Sequence, residues 1–64
     1  MSTNTKKRIL LVEDEKHLAE TIKLNLEIED FNPIVRYDGA SAISTFKEQR
    51  FDLVILDIMI PNID

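Results

Sequence analysis

The sequence predicts an α/β fold with a doubly wound parallel sheet, built in the order strand, helix, strand, helix, strand. Two runs of consecutive apolar residues, 9–12 and 53–56, are bounded by charged residues, as expected for short strands buried on both faces. Two segments between them repeat apolar residues every three or four positions, which is typical of amphipathic helices. Strands that alternate with helices in this way form parallel sheets through right-handed crossovers.

The first strand is predicted at residues 8–12 and is followed directly by acidic residues. The first helix is predicted at about residues 16–29, where Leu18, Ile22 and Leu26 recur every four positions. Lys16, Glu20, Lys23 and Glu27 are charged, so this helix has one apolar face. We expect that face to pack on the sheet.

A second strand and a second helix follow. Pro33 prevents a helix across residues 32–36, within which Ile34 and Val35 are predicted to form a short strand at a sheet edge. Asp38 and Gly39 signal a turn, and the second helix is predicted at about residues 40–49. Its apolar stripe consists of Ala42, Ile43 and Phe46.

The third strand is predicted at residues 53–56, ends in Asp57, and is stopped by Pro61. With the strand order 2-1-3, the first and third strands are neighbours at the point where the chain reverses direction, the usual ligand site of such sheets. The sequence ends soon after this strand, before another helix covers it. We therefore expect residues 1–64 to form part of a domain.

Composition excludes several classes of protein. The 64 residues are 44% hydrophobic and 31% charged, as in a globular protein, and they contain no cysteine for disulfides or thiolate metal sites. A net charge of -4 disfavours contact with nucleic acid. No stretch is long and apolar enough for a membrane span or a signal peptide, so we expect a cytoplasmic protein with no membrane contact.

Three carboxylates are predicted to converge at the carboxyl ends of the two central strands. Glu13 and Asp14 follow the first strand and Asp57 ends the third. Their mutual repulsion favours a bound cation, and Mg²⁺ prefers oxygen ligands of this kind. Zinc is a poor competitor because the chain has one histidine and no cysteine.

A carboxylate beside such a cation can attack phosphorus and form an aspartyl-phosphate. Asp57 is the best candidate for the nucleophile because it ends a predicted buried strand, and Asp14 suits metal ligation. The simpler alternative is that these acids are solvated residues at strand ends and helix starts, where Asp and Glu are common.

Two motifs give the sequence its resemblance to a known family. The segments ILLVEDE at residues 9–15 and LVILDIMIPNID at residues 53–64, with Asp38 and Gly39 between them, resemble the receiver domains of two-component response regulators. The match covers nearly the whole chain. It implies the flavodoxin-like fold, a sensor histidine kinase as phosphate donor, and an output partner that is absent from this chain.

The resemblance also assigns roles to individual residues. It implies that Asp57 is the phosphoacceptor and, with Asp14, a direct ligand of Mg²⁺, and that Glu13 often contacts the ion through water. It further implies that Met59 offers its backbone carbonyl to the metal and that Pro61 shapes the loop after Asp57. A receiver is a signalling domain rather than an enzyme, and at most phosphorylates itself from small phosphodonors when intact.

Two other functions stay open on the sequence. The intact family domain has two more strands and three more helices, which supply a hydroxyl residue and a lysine to the site, so the third strand would have an open edge here. We therefore expect self-association as a homodimer, and a half-domain without phosphotransfer is one alternative. A phosphohydrolase with an aspartyl nucleophile is another, but such enzymes typically carry a second Asp where this chain has Met59.

Overall fold

The computed structural model describes residues 6–57, which form three strands and two helices. The strands form a single parallel sheet in the order β2-β1-β3, so the predicted α/β fold and the 2-1-3 strand order are confirmed. The predicted boundaries of both helices and of the first and third strands agree with the observed ones to within one residue, whereas the second strand, predicted at Ile34 and Val35, extends over residues 32–36. The elements are β1 (Arg8–Glu13), α1 (Lys16–Ile28), β2 (Asn32–Arg36), α2 (Gly39–Glu48) and β3 (Leu53–Asp57).

Side-chain caps define where both helices begin. The Glu15 carboxylate accepts a hydrogen bond from the Leu18 amide at 2.6 Å, and the Asp38 carboxylate accepts one from the Ser41 amide at 2.8 Å. Each cap satisfies a backbone donor that the first helical turn leaves without a partner. The Asp38 cap gives the predicted turn its structural role, since it places the start of α2 directly after β2.

The C-terminal end of α1 is closed by a Schellman motif. The amide of Phe31 donates to the Leu26 carbonyl at 2.9 Å, and the amide of Asp30 donates to the Glu27 carbonyl at 3.0 Å. This geometry places Asp30 at a φ of 73°, in the left-handed region that favours glycine. The motif turns the chain directly into β2.

Replacing Asp30 with glycine is expected to raise the free energy of unfolding by about 0.5–1 kcal/mol, because glycine has no Cβ to clash in the left-handed conformation. The substitution also removes an ion pair with Lys6 at 3.6 Å, but both groups are exposed and such pairs contribute little. Urea unfolding would measure the difference. Asp30→Ala is the control, since it removes the same carboxylate and keeps the Cβ; equal stabilities of the two variants would contradict the prediction.

The core is centred on β1, the middle strand. Ile9, Leu10 and Leu11 are buried, and Ala19 of α1 and Ala42 of α2 are buried against the sheet. Both helices pack on β1 and β2. The buried volume of the described chain therefore lies on one half of the sheet.

The prediction that β3 is buried on both faces is wrong for the described residues. Leu53 is 53% exposed and Leu56 is 60% exposed, and Val54 is also exposed. The physical reason is that neither helix packs on β3, which contacts only β1 among the described elements. The apolar run therefore predicted the strand correctly but not the burial of its side chains.

The apolar stripe of α2 is also only partly buried. Ala42 faces the core, whereas Ile43 and Phe46 are largely exposed. The Phe46 ring stacks on that of Phe51, with 6.5 Å between the ring centroids. Phe46 and Phe51 therefore lie at the border of the core.

Arg8 ties the start of β1 to the segment before β3. Its backbone amide donates to the Asp52 carboxylate at 2.8 Å, and the Asp52 amide donates back to the Arg8 carbonyl at 2.8 Å. The guanidinium donates to the Arg50 carbonyl and to the Gln49 side chain, and lies 5.3 Å from the centroid of the Phe51 ring. These contacts hold β1 and β3 together at their amino ends, and so help to align their carboxyl ends.

Candidate functional site

Glu13 and Asp57 lie side by side at the carboxyl edge of the sheet. Glu13 is the last residue of β1, Asp57 is the last residue of β3, and the two are directly paired in the parallel register. Paired residues of neighbouring strands project from the same face and are separated by the strand spacing of about 4.8 Å. The fold therefore brings together two of the three carboxylates that the sequence predicted to converge.

Glu13 is a buried carboxylate that is only half satisfied. The residue is 1% exposed, and one carboxylate oxygen, Oε2, accepts a hydrogen bond from the Glu15 amide at 2.8 Å. The other oxygen, Oε1, is buried and has no hydrogen-bond partner among residues 6–57. Because an unpartnered buried carboxylate oxygen is costly, this position favours a ligand that supplies positive charge or a hydrogen.

The pKa of Glu13 is raised above its usual value of 4.5. The main cause is a hydrogen bond that its carboxyl group can share with the side chain of Asp57 when one of the two is protonated. Burial, repulsion by Asp57 and a hydrogen bond that a protonated carboxyl group can likewise share with Asp14 also raise the pKa of Glu13, and the Glu15 amide lowers it. The carboxylates thus form a site that favours either a proton or a cation.

The shift predicts how stability depends on pH without a divalent cation. Because the folded pKa of Glu13 exceeds 4.5, the folded state binds the proton of Glu13 more tightly than the unfolded state does. The bound proton therefore adds to the free energy of unfolding at low pH, and this stabilisation is lost as pH rises from 4.5 through the folded pKa. Glu13→Gln cannot ionise and keeps an oxygen for the Glu15 amide. This variant should therefore lose less stability than the parent chain as pH rises, and should be the more stable of the two at neutral pH.

Thermal unfolding followed by circular dichroism between about pH 4 and pH 8, with a chelator present, would test this pH dependence. Glu29→Gln is the control, because Glu29 is an exposed carboxylate at the far end of α1. Parallel curves for the parent chain and Glu13→Gln would mean that Glu13 does not cause the pH dependence.

Of the other predicted site residues, Asp14 lies within the described residues, whereas Met59 and Pro61 do not. Asp14 directly follows Glu13 and is exposed. Within residues 6–57 no group of three acidic or histidine side chains is close enough to hold a metal ion by itself. The metal-ligand set of Asp14, Asp57, Met59 and Glu13 therefore stays a prediction.

Sequence reasoning missed the residue that orients Glu13. Glu15 donates its amide to the Glu13 carboxylate while its own carboxylate caps α1. Glutamate is an uncommon N-cap, so no capping motif in the sequence signalled this role. Two hydrogen bonds therefore hold the turn between β1 and α1, and one of them fixes an oxygen of Glu13.

Nearby cations are occupied elsewhere. The Arg36 guanidinium donates to the Thr45 hydroxyl at 2.6 Å and to the Val35 carbonyl at 2.7 Å, and the Lys16 ammonium lies over the Tyr37 ring at 5.5 Å. Neither of the two ion pairs found within the described part of the chain involves Glu13, Asp14 or Asp57. The described side chains therefore leave the negative charge of these acids without an ion-pair partner.

A parallel sheet of order 2-1-3 with paired acids at its carboxyl edge fits the class of receiver domains, and comparison with known proteins establishes the family. The response regulator receiver domain family matches residues 9–64, and the chain belongs to it. The resemblance inferred from the sequence is thus confirmed.

Two relatives illustrate this membership. The chain is 42% identical over 57 residues to the response regulator ArlR of Staphylococcus saprophyticus, covering 89% of this chain and 26% of that protein. It is 40% identical over 57 residues to the regulatory protein VanRc of Enterococcus gallinarum, covering 89% of this chain and 25% of that protein. The chain therefore spans about a quarter of the length of these curated relatives. No solved structure matches the sequence.

Neither described helix is long and apolar enough to cross a membrane. The cytoplasmic location stays a prediction.

Proposed function

We propose that this chain is a phosphoacceptor module, which receives a phosphoryl group from a sensor histidine kinase on Asp57 and thereby alters an output partner. The main supporting observation is the pairing of Asp57 with the buried carboxylate of Glu13 at the carboxyl edge of neighbouring strands. Family membership supports the same role, since the matched family is that of response regulator receivers. Asp57 is part-exposed, so a phosphodonor can reach it.

The proposed reaction transfers a phosphoryl group from a phosphorylated donor to the carboxylate of Asp57. A carboxylate oxygen of Asp57 attacks the phosphorus, a new oxygen–phosphorus bond forms, and the bond between phosphorus and the donor breaks, so that the donor leaves with the electron pair of that bond. Attack requires the ionised form of Asp57.

Mg²⁺ is the cofactor that we propose for this site. The unpartnered Oε1 of Glu13 and the absence of an ion-pair partner for the acids within residues 6–57 fit a hard cation with oxygen ligands. Asp14, Asp57 and the Met59 carbonyl would hold the ion directly and Glu13 through water. When bound, Mg²⁺ would neutralise charge on the transferring phosphoryl group.

Two alternative functions have less support. A phosphohydrolase would be expected to carry a second aspartate two residues after Asp57, where this chain has Met59. A half-domain that self-associates without phosphotransfer is consistent with the exposed β3. In that case residues 1–64 would keep the first three strands and two helices of the family domain without its chemistry.

Intact-mass spectrometry after incubation with acetyl phosphate and Mg²⁺ would test the proposal. We expect one phosphoryl adduct on the parent chain, none on Asp57→Asn, and an unchanged adduct on the control Asp30→Asn, which changes an exposed acid at the other end of the sheet. An adduct of equal yield on Asp57→Asn would overturn the assignment of the acceptor. No adduct on any chain, together with no binding of Mg²⁺, would instead support the half-domain alternative.

A further inference from the structure

Glu15 connects the candidate site to the first turn of α1. Its backbone amide donates to Oε2 of Glu13 at 2.8 Å, and its carboxylate accepts a hydrogen bond from the Leu18 amide at 2.6 Å. Its backbone carbonyl also accepts a hydrogen bond from the Ala19 amide at 2.9 Å. A single residue is thus bonded backward to a carboxylate of the site and forward to two amides of the helix.

The forward contacts anchor Glu15 to the core. Ala19 is fully buried, and α1 packs on β1 and β2. The backbone of Glu15 is extended, with a φ of -89° and a ψ of 111°, as is typical of the residue that caps the start of a helix. The side-chain cap therefore helps to hold the backbone conformation of the residue whose amide binds Glu13.

Holding Oε2 of Glu13 also decides where its other carboxylate oxygen lies. The terminal torsion of a glutamate side chain is soft, so hydrogen bonds determine how its carboxylate is oriented. Oε1 is buried and has no hydrogen-bond partner among residues 6–57. Glu13 and Glu15 also line one cavity of about 300 Å³, together with Asp14 and Leu18. The orientation of the unpartnered oxygen therefore depends on the conformation of Glu15.

We propose that Glu15 is a positioning residue, whose side chain raises the affinity of the site for Mg²⁺ by holding the Glu13 carboxylate in its observed orientation. Glu15 acts through Glu13 and is not itself a ligand of the ion. Residues that orient the groups around a metal through hydrogen bonds commonly contribute about ten- to a hundredfold to metal affinity. The inference rests on the proposed function, because it concerns the same Mg²⁺ site.

Two simpler roles of Glu15 predict different behaviour. As a helix cap alone, its side chain would stabilise α1 without changing the affinity of the folded chain for Mg²⁺. As a direct ligand, or as one more negative charge near the site, it would act through its charge and not through its hydrogen bond with the Leu18 amide. The variants must therefore separate the cap, the charge and the stability of the fold.

Three substitutions make that separation. Glu15→Ala removes both the charge and the cap, whereas Glu15→Gln removes the charge and keeps an oxygen that can accept from the Leu18 amide. Asp38→Ala is the matched control. Asp38 follows β2 and caps α2, where its carboxylate accepts from the Ser41 amide at 2.8 Å. This control loses one negative charge and one helix cap, as Glu15→Ala does, but on a different helix.

Amide hydrogen exchange without Mg²⁺ tests the structural step. Glu15→Ala should lower the protection of the residue-15 amide several-fold, whereas Glu15→Gln and Asp38→Ala should change it little. Unchanged protection in Glu15→Ala would overturn the proposal. If Glu15→Ala does not fold, Glu15→Gly provides the same test, because glycine is tolerated at the start of a helix and likewise has no carboxylate.

Isothermal titration calorimetry with MgCl₂ tests the affinity. Glu15→Ala should weaken Mg²⁺ binding about tenfold, and Glu15→Gln and Asp38→Ala should each weaken it less than about threefold at physiological ionic strength. Similar affinities of Glu15→Ala and Glu15→Gln would assign any effect to charge, and similar affinities of Glu15→Ala and Asp38→Ala would exclude a role specific to Glu15. Either result would overturn only the positioning role, whereas a parent chain that binds no Mg²⁺ would refute the proposed cofactor and this inference together.

Discussion

Replacing Leu11 with alanine is expected to lower the free energy of unfolding by about 2–5 kcal/mol, which would unfold much of the protein. Leu11 is 0% exposed and lies on the central strand, between Val35 of β2 and Ile55 of β3. Its side chain packs at the centre of the buried half of the sheet, where removing methyl groups leaves a cavity. Chemical denaturation would measure the loss at one fixed protein concentration, because association contributes to apparent stability.

Two further variants make this result interpretable. Leu24→Ala removes the same atoms from an exposed helix position and should change stability by less than about 0.5 kcal/mol. If Leu11→Ala does not fold at all, Ile9→Val removes only one methylene group from a buried position and should cost about 0.5–1.5 kcal/mol. Similar losses for Leu11→Ala and Leu24→Ala would mean that β1 is not the centre of the core.

Mg²⁺ is expected to stabilise the folded chain by about 2.7 kcal/mol when its concentration is a hundred times the dissociation constant. The physical reason is that the folded state places Glu13 next to Asp57 and leaves a buried carboxylate oxygen without a partner, whereas the unfolded chain separates these groups. Titration of MgCl₂ during thermal unfolding would measure the effect. Glu13→Gln and Asp57→Asn should each remove most of it.

The control for the Mg²⁺ effect is Asp30→Asn, which removes one negative charge at the opposite end of the sheet and should respond to Mg²⁺ as the parent chain does. A rise in the unfolding temperature that is equal in all four chains would indicate general screening by salt. No rise in the parent chain would contradict the proposed cofactor, and it would leave the pH dependence of Glu13 as a separate, measurable property.

The fold was predictable because its signals are local in the sequence. Apolar runs bounded by charged residues predicted β1 and β3. The recurrence of Leu18, Ile22 and Leu26 every four positions predicted α1, and Pro33 marked the break between α1 and α2. The alternation of strands with helices then required parallel pairing, and the observed order β2-β1-β3 agrees with it. Placing Glu13 and Asp57 at one edge followed from that topology, since parallel strands end at the same side of a sheet.

Local sequence patterns therefore encode the order of elements, the fold and the edge that carries the acids. Which of these side chains are buried depends on how the elements pack. The run at β3 is as apolar as that at β1, yet β1 is covered by two helices and β3 by neither. Likewise, Glu13 and Asp14 are adjacent acids, but one is buried with an unpartnered oxygen and the other is exposed. Burial depends on which elements pack over a residue, and that is a property of the folded arrangement, which local residue patterns do not encode.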